Sequence, residues 1–205
     1  MVGKHEAGHG EAKNAKPEQI LVEATRQFAA RGFDGASLQD IAEAVGIRKP
    51  SLLYHFASKD ELRRAVLEAL LSRWHEVLPR LLKAASGEDQ FNAVVGETYD
   101  FFAADPLRAR LLLREVMDRP EVLRQLIATH VAPWVEVVAG QVRRGQAQGE
   151  LYPEVDPEAL VVAIINLIVA SVATGDCLGA MLSPARQRAE ILRLAKASLF
   201  QPTPR

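Results

Sequence analysis

A single cysteine, Cys177, is all the disulfide capacity that the 205 residues hold, so no bridge can form within the chain and packing alone has to hold the fold. Such cysteine usage fits a reducing cytoplasm. Net charge is almost absent, since 25 Lys and Arg stand against 26 Asp and Glu. Bulk electrostatics therefore announce neither nucleic acid nor membrane nor an acidic substrate, and any polyanion site must be a local patch. Long apolar runs are missing too. The longest, Leu160 to Ala173, has 14 residues and is interrupted by Asn166 and Ser171, short of the roughly 18 to 20 needed to span a bilayer; it reads as a buried helix. The opening MVGKHEAGHGEAKNAK has no apolar signal core, and residues 1–16 are expected to be a mobile polar tail. His5 and His9 lie four apart in it, but Gly8 weakens any helix that would align them as metal ligands. No Gly-rich phosphate loop, metal-ligand spacing or nucleophile elbow frames Cys177, Asp176, His75 or His130. The expectation is a protein that is not an enzyme and needs no cofactor or metal.

Helix formers dominate what is present. Hydrophobic residues make up 48% and charged ones 25% of the chain, with 31 Ala and 25 Leu, the composition of an all-α globular protein. Proline recurs where a first helical turn tolerates it. Pro17 opens a helix whose stripe of Ile20, Leu21, Ala24 and Phe28 ends near Arg31 and Gly32. Ser37 followed by Asp40 resembles a capping box, and Gly46 stops the short helix that it starts. Pro50 opens a third helix reaching His55, and Ser58 with Glu61 forms a second capping box for a longer fourth one, in which Pro79 predicts a kink or an end. Further starts lie near Glu88, Asp105-Pro106, Pro120, Asp156-Pro157 and Ser183-Pro184, with Pro133 bending the helix between Pro120 and Gln148. About nine helices result, divided near residue 70: residues 17–70 as one domain and 71–205 as a second.

The run SLQDIAEAVGIRKPSLLYHFASKDEL is the specific part. Short helix, Gly-containing turn and short helix make the helix-turn-helix plan, which places a second helix in the major groove. Ile41, Ala42, Val45, Ile47, Leu52 and Phe56 are expected to hold the two short helices at a fixed angle. The opposite face and its flanks carry Arg48, Lys49, Ser51, Tyr54, His55 and Lys59, so residues 48–59 hold three formal positive charges and no negative one. A neutral chain thus concentrates cationic donors on one surface.

This segment resembles the DNA-binding domain of the tetracycline-repressor (TetR) family of bacterial transcription regulators, over about residues 17–64. The run from Phe28 to Phe33, FAARGF, and the stretch from Ile41-Ala42 to Gly46-Ile47 carry the resemblance. It implies a dimeric, cytoplasmic, nucleoid-associated repressor or activator that reads an inverted-repeat operator in double-stranded DNA and binds a small molecule with its C-terminal helices. Matched position by position, Ser37, Lys49, Ser51, Tyr54, His55 and Lys59 stand where the family touches DNA, and Arg48 joins them at the start of the recognition helix. Leu53 departs from the pattern, which commonly has Tyr two residues before the His. Ser37 and Lys59 are expected to touch phosphate, whereas Arg48, Lys49 and Ser51 enter the groove first and are the specificity residues.

The helix from Pro157 to about Thr174 is apolar on nearly every face, so its second side needs a partner beyond its own domain. The helix from Pro184 to Phe200 offers Ile191, Leu192, Leu194, Ala195, Leu199 and Phe200 for the same purpose, with Arg186, Arg188, Arg193 and Lys196 in water. The resemblance implies a homodimer through these last two helices. A small apolar or amphipathic effector is expected among Trp74, Tyr99, Phe102, Met117 and Trp134, with Glu97, Asp100, His130 and Glu136 as candidate polar partners. An activator, or a regulator that answers to no ligand, is compatible with the same features. A helical interaction protein without DNA binding is the remaining alternative, and the basic face argues against it.

Overall fold

The computed structural model describes residues 17–84 and 87–201, with side chains for residues 17–72 and 88–201. The tail at residues 1–16 and the side chains of Trp74, His75 and Pro79 lie outside them. Among the described residues the chain forms eleven helices: α1 (Pro17–Gly35), α2 (Leu38–Ala44), α3 (Lys49–His55), α4 (Lys59–Ala84), α5 (Gly87–Ala103), α6 (Pro106–Asp118), α7 (Pro120–His130), α8 (Ala132–Ala147), α9 (Pro157–Ala173), α10 (Gly175–Leu178) and α11 (Pro184–Leu199). Two differences account for eleven where about nine were expected. Pro133 does not bend one helix but separates α7 from α8 at Val131, because proline offers no N–H to the carbonyl four residues back and its ring crowds it. The loop holding Cys177 folds into the single turn α10. Pro79, by contrast, does not end α4, which continues to Ala84.

The chain divides into two compact units inside α4, between Arg63 and Arg64, slightly earlier than residue 70. In the first, Ile20, Ala24, Phe28, Ile41, Ala42, Leu52 and Leu62 are almost wholly buried. Each large side chain among them contributes roughly 1.5 to 3 kcal/mol on removal from water. Val45 and Ile47 are only half-buried. The α2 to α3 turn is a Schellman motif: Ile47 N–H donates to the Ala42 carbonyl (2.9 Å) and Gly46 N–H to that of Glu43 (3.0 Å). Gly46 has φ +75°, a left-handed geometry in which a Cβ would be strained.

In the second unit α5, α9 and α11 share a core of Val95, Tyr99, Phe102, Ile168, Val172, Ile191 and Ala195. Trp134 and Val135 of α8 pack with Val94 and Val161. Ile191, Ala195 and Leu199, expected to wait for a partner, are instead buried in this unit's own core; of that set Leu194 is 44% exposed. Arg188 is not a free surface charge either. It forks onto Asp100 with two 2.8 Å hydrogen bonds, which Gly96 permits, since a Cβ there would meet a guanidinium nitrogen at 2.6 Å. No helix of the described residues is long and apolar enough to cross a membrane.

Candidate nucleic-acid interface and effector cavities

The recognition surface starts from the way α3 is held. Leu52 is its buried residue, 0% exposed, while Lys49, Pro50, Ser51 and Tyr54 face outward. Helical spacing turns Pro50 and Tyr54, two residues to either side of Leu52, away from the core, and Lys49 is exposed as the first residue of the helix. Arg48 precedes the helix in extended conformation and makes no cap bond with its side chain. No acidic residue lies in the first turn, and among the described residues neither Arg48 nor Lys49 has a side-chain hydrogen bond or ion pair. Tyr54 is 87% exposed and stands edge-on to His55, ring centres 5.5 Å apart. Leu53, at the position that departs from the family pattern, is half-buried.

The flanking residues are fixed by their own local bonds. Ser37 caps α2, its Oγ accepting from the N–H of Gln39 at 3.1 Å and of Asp40 at 3.4 Å. Its own O–H is still free to donate. Asp40 does not complete the expected capping box but pairs with Arg31 of α1 at 2.8 Å. The second box closes on one side: Ser58 Oγ accepts from Glu61 N–H (3.0 Å), whereas the Glu61 carboxylate reaches one residue past the cap and accepts from Ala57 N–H (2.9 Å). Lys59 is half-buried, its Nζ 4.5 Å from the centre of the Phe33 ring and 3.4 Å from the Asp34 carbonyl. It therefore ties the start of α4 to the end of α1.

The aromatic residues expected at an effector site do not form one cluster. Trp134 lines a cavity of about 220 Å³ bounded by α5, α8, α9 and the end of α11, the α8 cavity. Phe102 lines another of about 190 Å³ bounded by α4, α5, α6, α7 and α9, the α6 cavity. Tyr99 lines neither. It is buried, its hydroxyl 3.0 Å from the Pro184 carbonyl and 3.1 Å from Gln187 Oε1, and burial, then the neighbouring Asp100 charge, pushes its pKa up. Met117 is 81% exposed and lines neither cavity, since it sits next to the last residue of α6. The side chain of Trp74 lies outside the described residues. Of the candidate polar partners Glu97, Asp100, His130 and Glu136, none lines either of these two cavities; Asp100 pairs with Arg188 and Glu136 with Arg143. Arg144, Gln141 and Gln148 bring polarity to the α8 cavity in their place. The register of α8 turns Val142 and Gly145 inward with Val138 and Gln141 half-buried beside them, while Arg144 and Gln148 are exposed and line the cavity from its solvent side.

Residues 20–66 match the pattern of bacterial regulatory proteins of the tetR family, and residues 111–191 match the tetracyclin repressor-like C-terminal domain. The chain belongs to the TetR family. It is thus a helix-turn-helix transcriptional regulator that binds DNA. Over 140 residues it is 29% identical to the transcriptional regulator MftR of Mycobacterium tuberculosis, covering 68% of this chain and 70% of that one. It is 27% identical over 153 residues to the HTH-type transcriptional regulator RutR of Escherichia coli K12, covering 75% and 72%. The crystal structure of AibR in complex with isovaleryl coenzyme A and operator DNA has the same fold, with TM-score 0.72 at 19% identity over 87% of this chain and 96% of that one.

Proposed function

We propose that this TetR-family regulator represses transcription as a homodimer on an inverted-repeat operator and releases it when a small apolar or amphipathic effector enters the second unit. The observation that carries the DNA reading is the pair of cations Arg48 and Lys49, without a side-chain partner among the described residues, at the head of a helix whose inner side is anchored by Leu52. With Ser51 they read base edges; Ser37, Tyr54, His55 and Lys59 position the protein on phosphate. A guanidinium or ammonium on a guanine edge discriminates by roughly 1 to 3 kcal/mol per base pair.

The dimer reading rests on α9. Ala159, Val162, Ala163, Asn166, Leu167 and Ala170 form an exposed face opposite the buried Val161, Ile168 and Val172, and small residues there allow close approach of a second copy. Leu194 of α11 is exposed as well. Two-fold symmetry then sets the half-sites about one DNA turn, roughly 34 to 36 Å, apart or a multiple of it. The effector reading rests on α4. Its Lys59 end belongs to the DNA-binding unit, and its Leu70 and Leu71 form part of the α6 cavity. A ligand changes DNA affinity only by binding two states of the protein unequally, and a helix common to cavity and DNA-binding unit supplies that linkage.

Gel retention of genomic fragments, followed by footprinting, tests the proposal. The expected result is a palindromic footprint whose retention falls steeply with salt and disappears in the double variant Lys49→Ala, Tyr54→Ala, while sedimentation still reports a dimer. A monomeric protein that retains no duplex at low ionic strength would overturn it.

A further inference from the structure

We propose that the α8 and α6 cavities are two halves of one effector chamber that takes a slender, unbranched monocarboxylate, and that only a chain long enough to cross from the first half to the second releases DNA. This rests on the reading of the protein as an effector-responsive repressor and adds the ligand class and a length rule. Thr98 and Ile165 are the residues common to both linings, so the partition is one layer of side chains thick. Thr98 is buried and its hydroxyl donates to the Val94 carbonyl at 2.6 Å, so its own polar group is satisfied and does not oppose a passing hydrocarbon chain. Ile165 is half-buried and has a void on either side into which it can turn.

The two halves differ in polarity. The α6 cavity has Thr98 and Asn166 as its polar lining, the rest being apolar. The α8 cavity adds Gln90, Gln141, Arg144, Gln148 and Glu150. Arg143 is paired with both Glu136 and Glu158, but Arg144 has no carboxylate partner among the described residues, only a 3.3 Å contact from Nε to Gln141 Oε1. An exposed guanidinium with no counter-ion among the described residues, at the polar mouth of an apolar chamber, suits one carboxylate head. Glu150 in the same lining disfavours a second anionic group. The head therefore belongs at α8 and the tail points toward α6. Leu70 and Leu71 of α4 line only the far cavity, so a short acid fills the near half without touching the helix that leads to the DNA-binding unit.

Straight-chain acids from butanoate to hexadecanoate, titrated into the dimer with and without its retained DNA fragment, test this. Binding is read by calorimetry and release by fluorescence anisotropy of the DNA. Affinity is expected to rise roughly fourfold per methylene as each is buried. Short acids at saturation leave the DNA bound, and release begins only beyond a threshold length. Ile165→Trp is expected to abolish release by long acids while changing the affinity of short acids far less, by the bulk it adds to the near lining. Ile165→Ala, which thins the partition without crowding it, is expected to tighten long acids roughly tenfold and to change short ones less. Arg144→Gln is expected to weaken every acid roughly tenfold and not affect alcohols of equal length. Release that tracks occupancy at every length, acids that do not bind, or both Ile165 variants matching the parent would overturn the inference. Failure of the acid-free protein to retain any DNA would show separately that the regulator reading itself is wrong.

Discussion

Truncating Leu52 to alanine separates the scaffold of the recognition helix from its chemistry. Leu52 is 0% exposed and is the buried residue of α3, so the variant removes the anchor and leaves Arg48, Lys49, Ser51 and Tyr54 chemically intact. Leu→Ala changes at fully buried sites cost about 2 to 5 kcal/mol, the spread reflecting how far the surroundings collapse. A value of about 3 kcal/mol suits a unit this small, which has few other residues with which to fill the void. At about 1.4 kcal/mol per factor of ten, the local opening constant rises by roughly two orders of magnitude. Hydrogen exchange read by mass spectrometry is the assay. Amides of α2 and α3 should lose about a hundredfold in protection while those of α9 keep theirs. DNA affinity falls less, in proportion to the folded fraction of the unit. Lys49→Ala should do the reverse, losing DNA with protection unchanged. An α3 whose protection changes less than about threefold in Leu52→Ala would refute the argument that this one side chain holds the helix.

Two further predictions concern the same unit. Gly46→Ala places a Cβ at φ +75° where nothing lies within 4 Å of it, so the cost is backbone strain alone, about 1 to 2 kcal/mol; urea unfolding should report it, and an unchanged midpoint would mean the turn adopts another geometry. Glu23 is held below the usual carboxylate range by its hydrogen bonds to Arg26 and Gln27, against an opposing effect of burial. A depressed folded pKa stabilises the protein above the unfolded glutamate value and is lost as pH falls through the folded one. Glu23→Gln should therefore lower stability at pH near 7, and the gap to the parent should close on acidification through and below about pH 4; a gap independent of pH would sink the assignment.

Much of the first unit was legible because its signals are local. Caps, the Gly46 stop and the apolar stripe of α1 act within four residues of one another, over distances that helix geometry defines. Hence Leu52 faces inward and Tyr54, two residues on, faces outward, as the spacing implied. Asp40 shows where local reading ends. Its position matches a capping box, but Arg31 on the preceding helix competes for it.

In the second unit helix starts followed from Asp105, Asp156 and Ser183, each of which caps its helix with a side-chain oxygen. Which apolar residues face a void did not follow. Tyr99 and Thr98 are adjacent on α5, and one is a core anchor whereas the other divides two cavities. Both are buried, so their difference comes from what α9 and α11 bring near them: Ile165 shares both cavity linings with Thr98, and Gln187 meets the Tyr99 hydroxyl. Periodicity reports which side of a helix avoids water. It carries no record of whether atoms or empty space meet that side, because this depends on the approach of helices more than sixty residues away along the chain.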